Sequence, residues 1–405
     1  MSSFAPPPPP FMDESRSLIA KDPRDYWRAL RDGAVFRELN GYFVVTRRED
    51  VREALRNHDT FVSRRKELTR SGAGVQSQLI PLPIAYDPPE HTRFRRVLRP
   101  YFGPQAVNGL RSALQEQASA LIGAVAPNGE CEAISDIADP FPFGALATLC
   151  GLPLDDVDKV VAWADAVNWD MPGSAQASEL LKYLVEAIKG DEKPALAARL
   201  LTGDDPLTED EVIGLYTLLY FAQDGMQAAL GSALLHLARN PQLRSLLRDK
   251  PDQIRVFAEE VLRLETPLPF IGRYTNRDVT IADVTIPAGS PVRLCLASAN
   301  LGDSEESSVT VSDGGKIRSK QHKSFGGGIH RCLGKTLARM ELTVIVAEWL
   351  RAIPDFELEP GFTPSFTFRH GGAVVLSGLP LRWGQPLDDA RRTALESSLH
   401  ESAAD

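Results

Sequence analysis

Residues Phe325-Gly-Gly-Gly-Ile-His-Arg-Cys332-Leu-Gly334 set one cysteine in a glycine-rich loop that runs straight into the helical stretch Lys335–Ala352. The chemistry open to such a cysteine is that of a thiolate. A helix N-terminus offers unpaired N–H groups and the positive end of a dipole. Both hold sulfur in its thiolate form, which is the form that binds a metal. The glycines let backbone approach closely where a side chain would clash. A small buried hydrophobe in a flexible loop is the competing reading, and it leaves the spacing of Phe325, Gly326, His330, Cys332 and Gly334 unexplained.

Other residues with chemical potential lie far away in sequence, so folded elements must bring them in. His91 and Arg95 stand i, i+4 on a basic helix, His91–Arg99, opened by Asp87-Pro-Pro. Glu260 and Arg263 stand i, i+3 on a helix read as Gln253–Leu264, which puts both on one face. The capping box Thr208-Glu-Asp-Glu211 opens a long apolar segment, Val212 to Arg239, closed by Asn240-Pro241. One helix of that length would span a domain and be buried along most of it. Asp224 and Gly225 sit near its middle.

Around these, Asp22–Arg31, Glu49–Asn57, Gln105–Val125, Ala138–Leu152, Val157–Trp169 and Ala177–Lys189 read as helices. Val35–Leu39 and Tyr42–Thr46 flank Asn40-Gly41, a hairpin signal. Val279–Ile281, Val284–Ile286 and Val292–Ala297 read as short strands, and Phe366–Trp383 is strand-like. Residues 62–86 read as a long loop. The fold class is mainly α with small β-sheets: a single domain over 16–386, a disordered Pro-rich N-terminus over 1–15 and a polar acidic tail over 387–405.

Composition narrows the function. The chain has 405 residues, 43% hydrophobic and 24% charged, an ordinary globular balance. A net charge of −9 argues against nucleic acid as partner. No apolar run approaches a membrane span, and no signal peptide is read at Met1–Pro10. Cys131, Cys150, Cys295 and Cys332 are scattered without a Cys-x-x-Cys pair, so neither a zinc site nor a disulfide framework is indicated and a reducing cytoplasm fits.

The pattern Phe-x-x-Gly-x-His-x-Cys-x-Gly resembles the haem-binding loop of the cytochrome P450 family, and the likeness runs from about Asp22 to Trp383. It implies the cytochrome P450 fold, with a long central helix over the haem, and heme b carried on the Cys332 thiolate with Phe325, Gly326 and Gly334 around it. His91, Arg95, Arg273 and His330 are then expected at the two propionates, and Glu260 with Arg263 as a structural ion pair. Asp224, Gln223 and Gly225 fall where the family moves protons. The family's threonine is Gly225 here. Either the glycine relieves crowding by Phe221, or proton delivery uses no side-chain hydroxyl and the substrate, Gln223 or water stands in.

The resemblance also implies a substrate pocket at Leu79, Ile80, Leu218, Phe221, Ala222, Pro269, Phe270 and Val374. The usual Asn-Arg-Asp-Pro run after Asn300 is missing, so the segment up to Phe325 departs from the pattern. Arg96, Arg99, Lys316, Arg318, Lys320, Lys323, Arg331, Lys335 and Arg339 flank the haem-edge helix or the cysteine loop and form a basic face in an acidic protein. A small acidic redox protein could be steered there. The expected activity is monooxygenation of a fairly apolar small molecule in secondary metabolism, by a cytoplasmic monomer fed by separate ferredoxin and ferredoxin reductase. Oxidative coupling without oxygen insertion is the alternative, and a non-catalytic haem-binding relative is a third.

Overall fold

The strands around Asn40-Gly41 pair antiparallel, Val35 against Val45 and Arg37 against Phe43, with Gly41 at φ 87°. In this computed structural model, residues 19–37, 41–63, 82–165, 175–302, 306, 308–312, 314–369 and 372–384 are described. The expectations for both termini, for most of the 62–86 loop and for Leu79 and Ile80 lie outside them.

The hairpin is one edge of a five-stranded sheet, in the order Val35–Arg37, Phe43–Val45, Pro291–Cys295, Phe270–Thr275, Phe61–Val62. Only the Phe43–Val45 pairing with Pro291–Cys295 is parallel. The strand expected over Val292–Ala297 stops at Cys295, and Leu296–Leu301 turns helical. The Pro269 carbonyl accepts the Leu296 N–H at 2.8 Å and so fixes that corner. Val279–Ile281 and Val284–Ile286 pair as expected, and Phe366–Phe368 pairs with Val374–Leu376.

The helices carry the bulk of the core. Helix Lys335–Ala352 packs on Arg111–Val125, Gln253–Glu265 and Gln223–Arg239. Trp349, Phe257 and Leu230 are fully buried within this group. Each such side chain contributes roughly 1.5–3 kcal/mol by leaving water. The cysteine loop is therefore attached to a helix that is itself buried.

The long central helix differs from its expectation. Its start is as read: Thr208 Oγ1 accepts the Glu211 N–H at 3.2 Å, and Glu211 Oε2 accepts the Thr208 N–H at 2.8 Å. The continuous helix from Val212 to Arg239 is instead two, Glu209–Phe221 and Gln223–Arg239, interrupted at Ala222. There the ladder tightens, with Gly225 N–H bonded to the Ala222 carbonyl three residues back at 3.3 Å. An apolar run reveals burial but not a break of one residue. Glycine's weak helix propensity at 225 eases the break.

Candidate active site

Cys332 lies between a short turn, Gly328–His330, and helix Lys335–Ala352. Its own N–H bonds the Phe325 carbonyl at 2.9 Å, which closes the loop on itself. Burial pushes its thiol up, while N–H bonds from Gly334 and Lys335 and the charges of Arg95 and Lys335 work in the thiolate's favour. Cys332 is nonetheless exposed by surface area. A side chain both surrounded and accessible lines a recess rather than the outer face. Gly328 shows why the loop is glycine-rich: its φ is +62°, and a Cβ there would sit 2.0 Å from the Leu55 carbonyl oxygen.

The four expected anchors do converge. The His91 and His330 rings lie 4.2 Å apart between centroids. Burial, then His330 and Arg95, pull the His91 pKa down to about 4. Burial pulls Arg273 down to about 10, opposed by Asp87. Arg95 is lowered by burial and feels Cys332. His330 Nε2 lies 3.1 Å from Ser63 Oγ and 3.4 Å from Asp87 Oδ1, and Asp87 also accepts the Ser63 N–H. Asp87 and Ser63 were not singled out from sequence, although Asp87-Pro-Pro marked the spot.

These residues fit a dianionic metal macrocycle. Among the described residues, His91 Nε2 is buried without a hydrogen-bond partner and Arg95 makes no ion pair. A buried donor left unmade costs about 1–3 kcal/mol, and two propionates beside a cysteine sulfur would satisfy both groups. Cys332 could hold iron, and His91, Arg95, Arg273 and His330 could hold the carboxylates.

The Glu260–Arg263 pair is almost wholly buried, with Arg263 Nε 3.0 Å from both Glu260 oxygens. Arg263 Nη1 reaches the Asn300 carbonyl at 3.2 Å, and Nη2 reaches Glu306 at 2.8 Å. Asn300 then ties the approach to the loop: its Nδ2 donates to Thr266 and Ser324 at 2.9 Å, and its Oδ1 accepts the Lys323 N–H at 2.5 Å. The departure from the family pattern after Asn300 therefore leaves that residue's clamp in place.

On the central helix, Gln223 is engaged: its Nε2 donates to the Leu219 carbonyl at 2.7 Å. Asp224 lies 3.9 Å from Arg369, which lies 3.6 Å from Asp139. Among the described residues, a Cβ at Gly225 would meet only Leu268, at 3.8 Å. Phe221 is not among its neighbours, so crowding by Phe221 does not explain the glycine. Leu268 packs with Ala228, Ala373 and Val375 as a small apolar cluster.

Of the residues expected at the substrate pocket, Val374 packs in the main core, while its neighbours Ala373 and Val375 pack with Leu268 by strand alternation. Phe270 meets Trp27 edge-on at 5.4 Å and belongs to that core as well. Pro269 is buried with its carbonyl spent on Leu296. Leu218 and Phe221 are half-buried, and Ala222 is exposed.

The basic face is a groove of about 640 Å³ behind the cysteine loop, lined by Arg52, Arg56, Lys320, Lys323, Arg331 and Arg339 with Glu259. Arg52 and Arg56 come from helix Arg48–Arg56 and were not picked from sequence. Arg96, by contrast, is paired with Asp205 at 2.7 Å.

This fold, with a cysteine thiolate loop facing convergent anion-binding side chains, defines a haem-thiolate protein. The family model described as Cytochrome P450 matches residues 310–379. A probable cytochrome P450 127A1 of Sinorhizobium fredii is 31% identical over 86% of this chain and 84% of its own length. The mycinamicin IV hydroxylase/epoxidase of Micromonospora griseorubida is 29% identical, covering 84% and 89%. The structure of cytochrome P450 CYP109Q5 from Chondromyces apiculatus superposes with a TM-score of 0.79 at 26% identity, covering 92% of this chain and 98% of that one.

The chain belongs to the cytochrome P450 family. Members bind haem b through a cysteine thiolate, and the chain is an oxidoreductase of the monooxygenase type. No helix among the described residues is long and apolar enough to cross a membrane.

Proposed function

We propose that this protein hydroxylates or epoxidises a fairly apolar small molecule of secondary metabolism, with its last proton link made by substrate or water. The observation that carries this is the pairing of an acid, Asp224, with a hydroxyl-free Gly225 where a Cβ would reach Leu268 at ordinary contact distance, 3.8 Å. When bound, haem b supplies the dioxygen and electron chemistry. Cys332 would hold its iron, with the sulfur supported by the Gly334 and Lys335 N–H groups. His91, Arg95, Arg273 and His330 would hold its propionates and orient it. Leu268, Ala228, Ala373 and Val375 present an apolar wall that keeps out bulk water.

Asp224 would exchange protons from a position 3.9 Å from the Arg369 guanidinium. Of the stand-ins for the missing hydroxyl, Gln223 is already occupied on Leu219. A substrate hydroxyl or a trapped water remains. Electrons arrive from a separate ferredoxin, itself reduced by its reductase, which the basic groove would attract. The free cysteines fit a reducing cytoplasm. The monomeric state is part of the same proposal.

The test is mass spectrometry of ligand co-purified with the haem-loaded protein, followed by turnover with ferredoxin and reductase. Product should match electrons consumed for that ligand, and hydrogen peroxide should dominate for analogues lacking its hydroxyl or its fit. No electron consumption with any bound ligand would instead mark a non-catalytic relative.

A further inference from the structure

Glu259 and Glu260 are neighbours on helix Gln253–Glu265 and turn their carboxylates in different directions. Glu260 faces inward to Arg263, while Glu259 faces the groove behind the cysteine loop. There it accepts from Arg339 through both Nε and Nη2, the latter at 2.8 Å, and from His322 Nε2 at 3.1 Å.

His322 Nδ1 accepts the Ser324 N–H at 3.2 Å, and the Ser324 hydroxyl proton goes to the Leu262 carbonyl at 2.6 Å. Nδ1 also lies 3.0 Å from Ser324 Oγ, and Nε2 is the nitrogen that faces Glu259. The two groups bound by Glu259 also flank Phe325. The Arg339 guanidinium lies 4.5 Å from the ring centroid and the His322 ring 5.9 Å. The Phe325 carbonyl in turn holds the Cys332 N–H.

We infer that Glu259 is a positioning residue for the thiolate: through Arg339 and His322 it clamps Phe325, and through the Phe325 carbonyl it fixes the Cys332 loop. The inference rests on Cys332 ligating haem iron. Burial works to raise the Glu259 pKa, but the Arg339 and His322 bonds outweigh it and hold the acid down at about 2. The carboxylate thus stays charged across the pH range in which an enzyme works. Charge-assisted, forked bonds of this kind restrict geometry more tightly than neutral ones.

The test is the midpoint potential of the haem-loaded protein without any redox partner, in Glu259→Gln, Arg339→Gln and Arg339→Lys. The wild-type reduced carbon-monoxide spectrum first establishes thiolate ligation. Its failure there would overturn the ligand assignment and not the clamp. If the clamp acts on the thiolate, all three variants shift the potential in one direction, and Glu259→Gln/Arg339→Gln shifts it no further than the larger single change. Arg339→Lys should shift like Arg339→Gln, because it keeps the charge and loses the fork. Opposite shifts for Glu259→Gln and Arg339→Gln, with none for Arg339→Lys, would mean that groove charge alone acts, and would overturn the inference. So would unchanged potentials throughout. Should Glu259→Gln hold haem poorly, the Arg339→Lys potential decides alone.

Discussion

The side chain of Gln223 donates to the carbonyl of Leu219 at 2.7 Å, the same carbonyl a continuous helix would bond to the backbone N–H of Gln223. The side chain thus supports the helix at the point where it is interrupted. Gln223→Ala should lower stability by about 1 kcal/mol, the net worth of one hydrogen bond, with haem content retained. Thermal unfolding of the haem-loaded protein measures this. Unchanged stability combined with uncoupled turnover would return Gln223 to the proton pathway.

The anchors opposite should matter for cofactor retention. A hydrogen bond to a charged group contributes about 1.5–3 kcal/mol, so Arg95→Ala and His330→Ala should each raise the rate of haem transfer to an acceptor apoprotein by at least tenfold. Asp87→Asn, which weakens the hold on His330 without removing it, should give a smaller increase. Normal retention in both alanine variants would overturn the propionate assignment.

Gly225→Thr separates space from chemistry. Since, among the described residues, the added Cβ would meet only Leu268, at ordinary contact distance, the variant should fold and bind haem as the parent does. Product formation on the native substrate should fall, because the new hydroxyl displaces the substrate group or water that completes the relay. Better coupling of electrons to product in Gly225→Thr would show the glycine to be a defect.

Glu341, buried on helix Lys335–Ala352, has an oxygen with no hydrogen-bond partner among the described residues, and burial raises its pKa to about 8. The folded state therefore holds a proton that the unfolded chain releases near 4.5. Stability should be unaffected by this group below that pH, then fall as pH rises toward 8, by at most about 1.4 kcal/mol per unit. Denaturant titrations across this range should show the slope in the parent and its loss in Glu341→Gln. An equal slope in both would mean that Glu341 is not protonated in the folded protein.

Local spacing was enough to read the cysteine loop, the Thr208 capping box, the Asn40-Gly41 hairpin and the Glu260–Arg263 face, because each depends on contacts within a few residues. The convergence of His91, Arg95, Arg273 and His330 was legible only through family resemblance. The tertiary structure decided the rest. Whether Val374 or Val375 faces the apolar cluster depends on which side of a two-residue alternation meets the core. Phe270 turns inward because Trp27, from the other end of the chain, is there to receive it. Glu259 looks like any exposed helix acid until the fold brings up Arg339, 80 residues away. Such pairings rest on long-range packing, which a periodicity of 2 or 3.6 does not encode.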